Sequence, residues 1–214
     1  MVGIQTRARS TPPRISQHIN RKPASNMAHA VRVAEALGLP LNQLVTFNFA
    51  HTACPDELVS RQFQRLRDNH FGKWLARKGR GPVRPPAYIW SVENSGGCLN
   101  VHWLVHIPQG RVGDFRAQLS SWLAAVTGEV NCATAIHVRH APTPQGAVKY
   151  MSKGIDPIYA QYFYIRHIPQ GRVHGKRAGI SKSLGPTVRR RLQEIGQLQR
   201  APRRFRAYPT GSPI

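Results

Sequence analysis

Residues 99–106 read LNVHWLVH, and this short stretch decides the fold. Polar residues fall on alternate positions of an apolar run, which is the period of a β-strand and not of a helix. Leu99, Val101, Trp103 and Val105 then share one face, which reads as core. The opposite face carries Asn100, His102, Leu104 and His106, an odd lining for a strand with nothing bound against it. Either these groups find ordinary hydrogen bonds in a half-buried strand, or they form one wall of a metal site.

Just upstream, AYIWSVEN (87–94) reads as a second strand, and SGG (95–97) turns the chain between the two. The hairpin loop is expected to be longer than two residues. Such a hairpin brings Glu93 beside Asn100 and His102. A carboxylate, an amide and an imidazole suit a hard cation, Mn²⁺ or Mg²⁺, whereas zinc favours more His or Cys. His106 stands four residues past His102, about 13 Å along a strand, too far to share the ion without a bend.

Working outward, NQLVTFNFA (42–50), AIHVRH (135–140) and QYFYIRH (161–167) read as further strands. MAHAVRVAEALGLP (27–40) reads as a helix stopped by Gly38 and Pro40. CPDELVSRQFQRLRDNHFGKWLARKG (54–79) opens on Pro55 and two acids, and carries Val59, Phe63, Leu66 and Trp74 as its apolar stripe. GRGPVRPP (79–86) is a linker, and GRVGDFRAQLSSWLAAVTG (110–128) is a helix with Phe115, Leu119, Trp122, Leu123 and Val126 on one side. In TPQGAVKYMSKG (143–154), Thr143 is placed to cap, Pro144 to start and Gly154 to stop a helix. A last helix carries Val188, Leu192, Ile195 and Leu198. The order predicts an α+β domain with an antiparallel sheet of about five strands and helices packed on one face of it. The expected organisation is a basic disordered N-terminal arm over 1–25, a main domain over 26–190, and a basic C-terminal helix and tail over 191–214. HIPQGRV occurs twice, at 106–112 and 167–173, too few copies for a repeat architecture.

Thirty-one Lys and Arg against nine Asp and Glu leave a net charge of +22. A balance so basic predicts a polyanionic partner, since Lys and Arg displace counterions from phosphates; a basic ribosome-type protein would share it. Cys54, Cys98 and Cys132 form no CxxC pair, so a disulfide framework or zinc finger is not expected and a reducing cytoplasm is. No stretch has the length and apolarity of a signal core or a membrane span.

Tyr150 and Lys153 lie three apart on the helix flank, beside a buried stripe of Ala147, Val148 and Met151. A phenol becomes a useful nucleophile when one cation polarises its target and another assists its deprotonation. The plainer alternative is an amphipathic tyrosine at the edge of the core.

Taken in order, these segments resemble the HUH endonuclease superfamily, specifically the rolling-circle replication initiators (Rep proteins) of bacterial plasmids and phages. LVTFNF around Thr46 resembles the first motif of that family, a hydrophobic-Thr-hydrophobic strand. ENSGGCLNVHWLVHIP resembles the second, a His-hydrophobic-His strand after an acidic residue. Tyr150 to Lys153 in AVKYMSKGIDP matches the third, Tyr-x-x-Lys on a helix. The resemblance covers roughly residues 28 to 190, with one departure: Asn100 stands where the first motif histidine belongs. It implies an HUH/Rep-like fold and a metal-dependent endonuclease that nicks and rejoins single-stranded DNA at an origin or hairpin. In that mechanism Glu93, Asn100 and His102 hold Mn²⁺ or Mg²⁺, Tyr150 forms a 5′-phosphotyrosine, and Lys153 deprotonates the phenol or stabilises developing charge. The lack of a P-loop agrees with reliance on a host helicase. Lys176, Arg177, Lys182, Arg189, Arg190 and Arg191 are the expected DNA-binding cations, and Trp90, Tyr162, Phe163 and Tyr164 the aromatics for base stacking. A relaxase or single-strand transposase would use the same groups, and a catalytically silent nucleic-acid-binding protein would keep the fold without them.

Overall fold

The computed structural model describes residues 14–77, 84–130 and 132–200. In chain order its regular elements begin with β1 (Ile15–Ser16), α1 (Arg21–Ala36) and β2 (Gln43–Asn48). Next come α2 (Val59–Arg65), a π-turn (Leu66–Phe71) and α3 (Gly72–Ala76), then β3 (Tyr88–Ser95) and β4 (Cys98–Val105). The chain continues through α4 (Val112–Thr127), β5 (Ile136–His140), α5 (Pro144–Met151), α6 (Pro157–Ala160), β6 (Val173–His174), β7 (Ala178–Ile180) and α7 (Pro186–Glu194). Five strands form one sheet in the order β5-β2-β4-β3-β7, and every pairing is antiparallel. β1 and β6 form a separate two-stranded pair. Among the described residues, no helix is long and apolar enough to cross a membrane.

Alternation along the strands builds two cores, one on each face. Val45, Phe47, Trp90, Val101 and Trp103 point to the side covered by α2, α3 and α4, where Phe63, Phe71, Phe115 and Trp122 complete an aromatic layer. Leu44, Ile89 and Leu104 point to the other side and meet α1, α5 and α7 through Met27, Val31, Val148 and Leu192. Helices therefore cover both faces, not the one expected. The reason is visible in β4: Leu104 is as fully buried as Trp103, and an apolar residue on each side of a strand needs a layer on each side.

Several local expectations are revised. Ser95 faces Cys98, so the β3–β4 loop is the two residues Gly96 and Gly97, both with positive φ (62° and 81°), and not a longer one. That backbone matches the twist of the hairpin and favours glycine at both positions. Chain 161–167 is not a strand. Pro157 opens α6, the Asp156 side chain accepts from the Ile158 amide, and Tyr164 turns through φ 53°, so cap chemistry outweighs the β-formers that follow. The fifth strand is β7, in the basic stretch after residue 175.

The domain bounds shift too. β1 and the start of α1 lie within the segment expected to be a disordered arm, whose residues 1–13 fall outside the described residues. α7 crosses the expected boundary at 190, and Leu192 and Leu198 are buried against α1, so this helix belongs to the main domain. Ile195, assigned to its stripe, lies just past the helix end and is exposed. The linker's residues 78–83 and the tail 201–214 are outside the described residues.

Candidate active site

Register assembles the site. Glu93 faces Asn100 across the β3–β4 pair, and His102 faces Ser91 on one side and Thr46 of β2 on the other. All lie on the face that Leu104 shares. A slip of one residue would send Glu93 to the aromatic core, so the two-glycine turn also sets the chemistry.

Glu93 and His102 are each 5% exposed. His102 Nε2 approaches Glu93 Oε2 at 3.1 Å, and Lys153 Nζ meets the same oxygen at 2.9 Å. On the other edge of the imidazole, Nδ1 lies 2.9 Å from the Thr46 hydroxyl, which holds the ring in place. The Tyr150 ring meets the His102 ring edge-on with centroids 5.3 Å apart, and the Lys153 ammonium sits 4.0 Å from the centre of the Tyr150 ring. Thr46, His102, Glu93, Lys153 and Tyr150 thus form one continuous chain of contacts. Tyr150 is 45% exposed, so its phenol is accessible from outside while the acid and the imidazole behind it are not.

Burial alone would raise the Glu93 pKa, but contact with His102 and with the Lys153 ammonium overrides it and holds the carboxyl below the usual range. The reverse balance acts on Lys153: burial pushes its pKa down, and bonding to Glu93 and Tyr150 pushes it up further, above the ordinary lysine value. Lys153 is therefore held as a cation.

The donor set fits a hard divalent ion in part. Glu93 Oε1 is buried without a hydrogen-bond partner, and the imidazole tied at Nδ1 turns its Nε2 toward the carboxylate. Asn100 is at the right register, but its side-chain amide donates along its own strand to the Cys98 carbonyl at 3.3 Å. Among the described residues no group of three or more His, Cys, Asp or Glu side chains is placed to hold a metal, so an ion here would need the Asn100 carbonyl oxygen. His106 is elsewhere: its Nδ1 contacts the Pro40 carbonyl at 2.8 Å, consistent with its distance along the strand.

The other site residues separate into groups. Lys176 and Lys182 are exposed beside the sheet edge at β7, and Arg190 and Arg191 are exposed on α7 with Arg189 half-buried. Arg177 is not available to a ligand. It is 3% exposed, and its guanidinium donates to the carbonyls of Gln170, Ser16 and Gly171, clipping β1 to the loop before β6. Burial lowers its pKa to about 10, opposed by the nearby Glu93 charge. Trp90 is likewise core and not a stacking platform, whereas Tyr162 and Tyr164 are exposed. Thr46 is a functional residue through its contact with His102, and its one signal in the sequence is a lone hydroxyl in the apolar strand LVTFNF. No protein-family model, curated protein or solved structure matches the chain.

Proposed function

We propose that this protein is an HUH-type endonuclease that nicks and rejoins single-stranded DNA, initiating rolling-circle replication with the help of a host helicase. One observation carries the reading: an exposed phenol lies against a buried imidazole–carboxylate pair, with a lysine ammonium touching both the phenol ring and the carboxylate. Glu93, His102 and the Asn100 oxygen would hold Mn²⁺ or Mg²⁺. Bound there, the ion supplies Lewis-acid polarisation of the scissile phosphate.

Tyr150 Oη attacks phosphorus and the bond to the 3′ oxygen breaks. The phenol proton passes to solvent water, and the leaving 3′ oxygen takes one from solvent. The strand downstream of the cut stays on the enzyme through its 5′ phosphate as a phosphotyrosine. One phosphodiester replaces another, so the step runs in reverse and rejoins strands without ATP. Because Lys153 is held protonated, its part is to stabilise the phenolate and the developing phosphate charge, not to act as the base. Thr46 orients the imidazole.

The test uses labelled single-stranded origin-type oligonucleotides with Mn²⁺, read as a covalent adduct on a denaturing gel. Wild type forms the adduct, Tyr150→Phe abolishes it, and EDTA prevents it. An adduct surviving in Tyr150→Phe overturns the nucleophile, and cleavage in EDTA overturns the ion. A second reading, a DNA-binding protein without catalysis, draws on the orientation of Asn100 and on the ammonium already paired with Glu93. It expects retention on DNA and no adduct with any metal.

A further inference from the structure

A cavity lies away from Tyr150, at the β7 edge of the sheet. It encloses about 710 Å³ between the start of α1 and the outer face of α2, with β7 along its floor. Arg14, Arg67, Lys176 and Lys182 line it, with Asp68 as its one carboxylate. Among the described residues the ion pairs join Glu93 to His102 and Lys153, and Arg111 to Asp114, so none of these four cations is paired with an acid. Like charges gathered around one concavity repel, and an anionic occupant relieves that repulsion.

Part of the wall is pre-ordered. The Arg67 guanidinium stands over the rings of Phe63 (4.8 Å), Tyr88 (5.3 Å) and Trp90 (4.9 Å). It donates one hydrogen bond to the Tyr88 hydroxyl at 3.2 Å, and its Nε is buried with no partner. A cation fixed by three rings loses little rotamer freedom on meeting a phosphate, and the fork geometry of Arg suits that ligand. The buried Arg177 clip holds the β1 side of the same wall. Residues 1–13 contain Arg7 and Arg9 and no acid, so their charge does not complement the groove.

We propose that this groove binds the phosphate backbone of single-stranded DNA, as a contact separate from the nicking pocket. The choice of DNA over another polyanion rests on the function proposed above. The choice of a single strand rests on that same function. The aromatic residues of the groove are buried beneath the cations, so the contact is to backbone and independent of base sequence.

The experiment compares the full-length double variant Lys176→Glu/Lys182→Glu with an equal-charge control, Lys73→Glu/Arg139→Glu, on exposed positions of α3 and β5. Binding of a labelled random single-stranded oligonucleotide is followed by fluorescence anisotropy across a salt series. The groove variant is expected to bind about tenfold more weakly than the control, with a salt slope shallower by about 1.4 for two lost contacts. Equal loss in both variants overturns the proposal, as does displacement of the oligonucleotide by inorganic phosphate at constant ionic strength, which would assign the groove to a small anion. Binding needs no cleavage. A groove effect without an adduct therefore overturns only the nicking reading, and an adduct without a groove effect overturns only this one.

Discussion

At the scale of single residues, the site is a set of opposed charges whose titration is linked to stability. The Glu93 carboxyl is depressed in the fold, so its contribution is present above the unfolded carboxylate pKa and is lost as pH falls through the depressed value. Thermal melts across pH should therefore show wild type losing stability on acidification below about pH 4 more steeply than Glu93→Gln. Lys153 is shifted upward, so its pairing holds below the ordinary lysine pKa and fades as pH rises above about 10.5. Lys153→Gln should flatten that alkaline limb. Thr46→Val keeps the shape of the side chain and removes the contact to His102 Nδ1, with an expected loss of about 1 kcal/mol in urea unfolding. If the strand-transfer reading holds, the same variant slows adduct formation about tenfold, because the imidazole loses its orientation.

At the scale of elements, two irregularities set the geometry. The first is the Gly96–Gly97 turn, where nothing lies within 4 Å of an added Cβ, so only backbone conformation resists substitution. Gly97→Val should cost about 2 kcal/mol, and Gly97→Asn less, since Asn tolerates the left-handed region. The second is the π-turn between α2 and α3. Leu66 and Phe71 are five residues apart and both 0% exposed, which a regular α-helix would place on different faces. The wider turn brings them together. Phe71 packs against Trp103 with ring centroids 4.9 Å apart, and Phe71→Ala is expected to cost about 3–5 kcal/mol by chemical denaturation. The helical stripe of this segment was legible in the sequence, but Phe71 was not part of it, because a periodicity of 3.6 does not anticipate an extra residue per turn.

For the molecule as a whole, the two helical layers must both be present to close the sheet. A chain ending at Gly185 would lose α7 with Leu192 and Leu198, uncover the α1 layer, and melt well below the full chain in a thermal scan. The surplus of positive charge has its own signature: affinity for single-stranded DNA should fall steeply between low and physiological salt in a filter-binding or anisotropy series. A flat response would remove the basic surface from the account of binding.

Alternation in β2, β3 and β4, the stripe of α4 and its stop at Gly128 were written in local order, because period and cap chemistry depend on neighbours in sequence. So was the nearness of Glu93 to Asn100 and His102, which any hairpin between these strands brings about. The register, with Glu93 opposite Asn100 and Ser91 opposite His102, came from a two-glycine turn tighter than the one expected. The twice-written HIPQGRV marks where that legibility ends. At 106–112 it makes a 3₁₀ turn that leads into α4, and the Arg111 guanidinium donates to the Trp74 carbonyl. At 167–173 it runs without helix into β6, with Gly171 at φ 61° and so close to Asn94 that an added Cβ would collide with its carbonyl oxygen. Asn94 and Arg177 donate to the carbonyls of Gln170, Gly171 and Arg172 in the second copy, whereas in the first the Asn42 side chain bonds both the amide and the carbonyl of Ile107. Seven identical residues adopt two conformations because their backbone groups are satisfied by different distant partners, and only the tertiary structure supplies those partners.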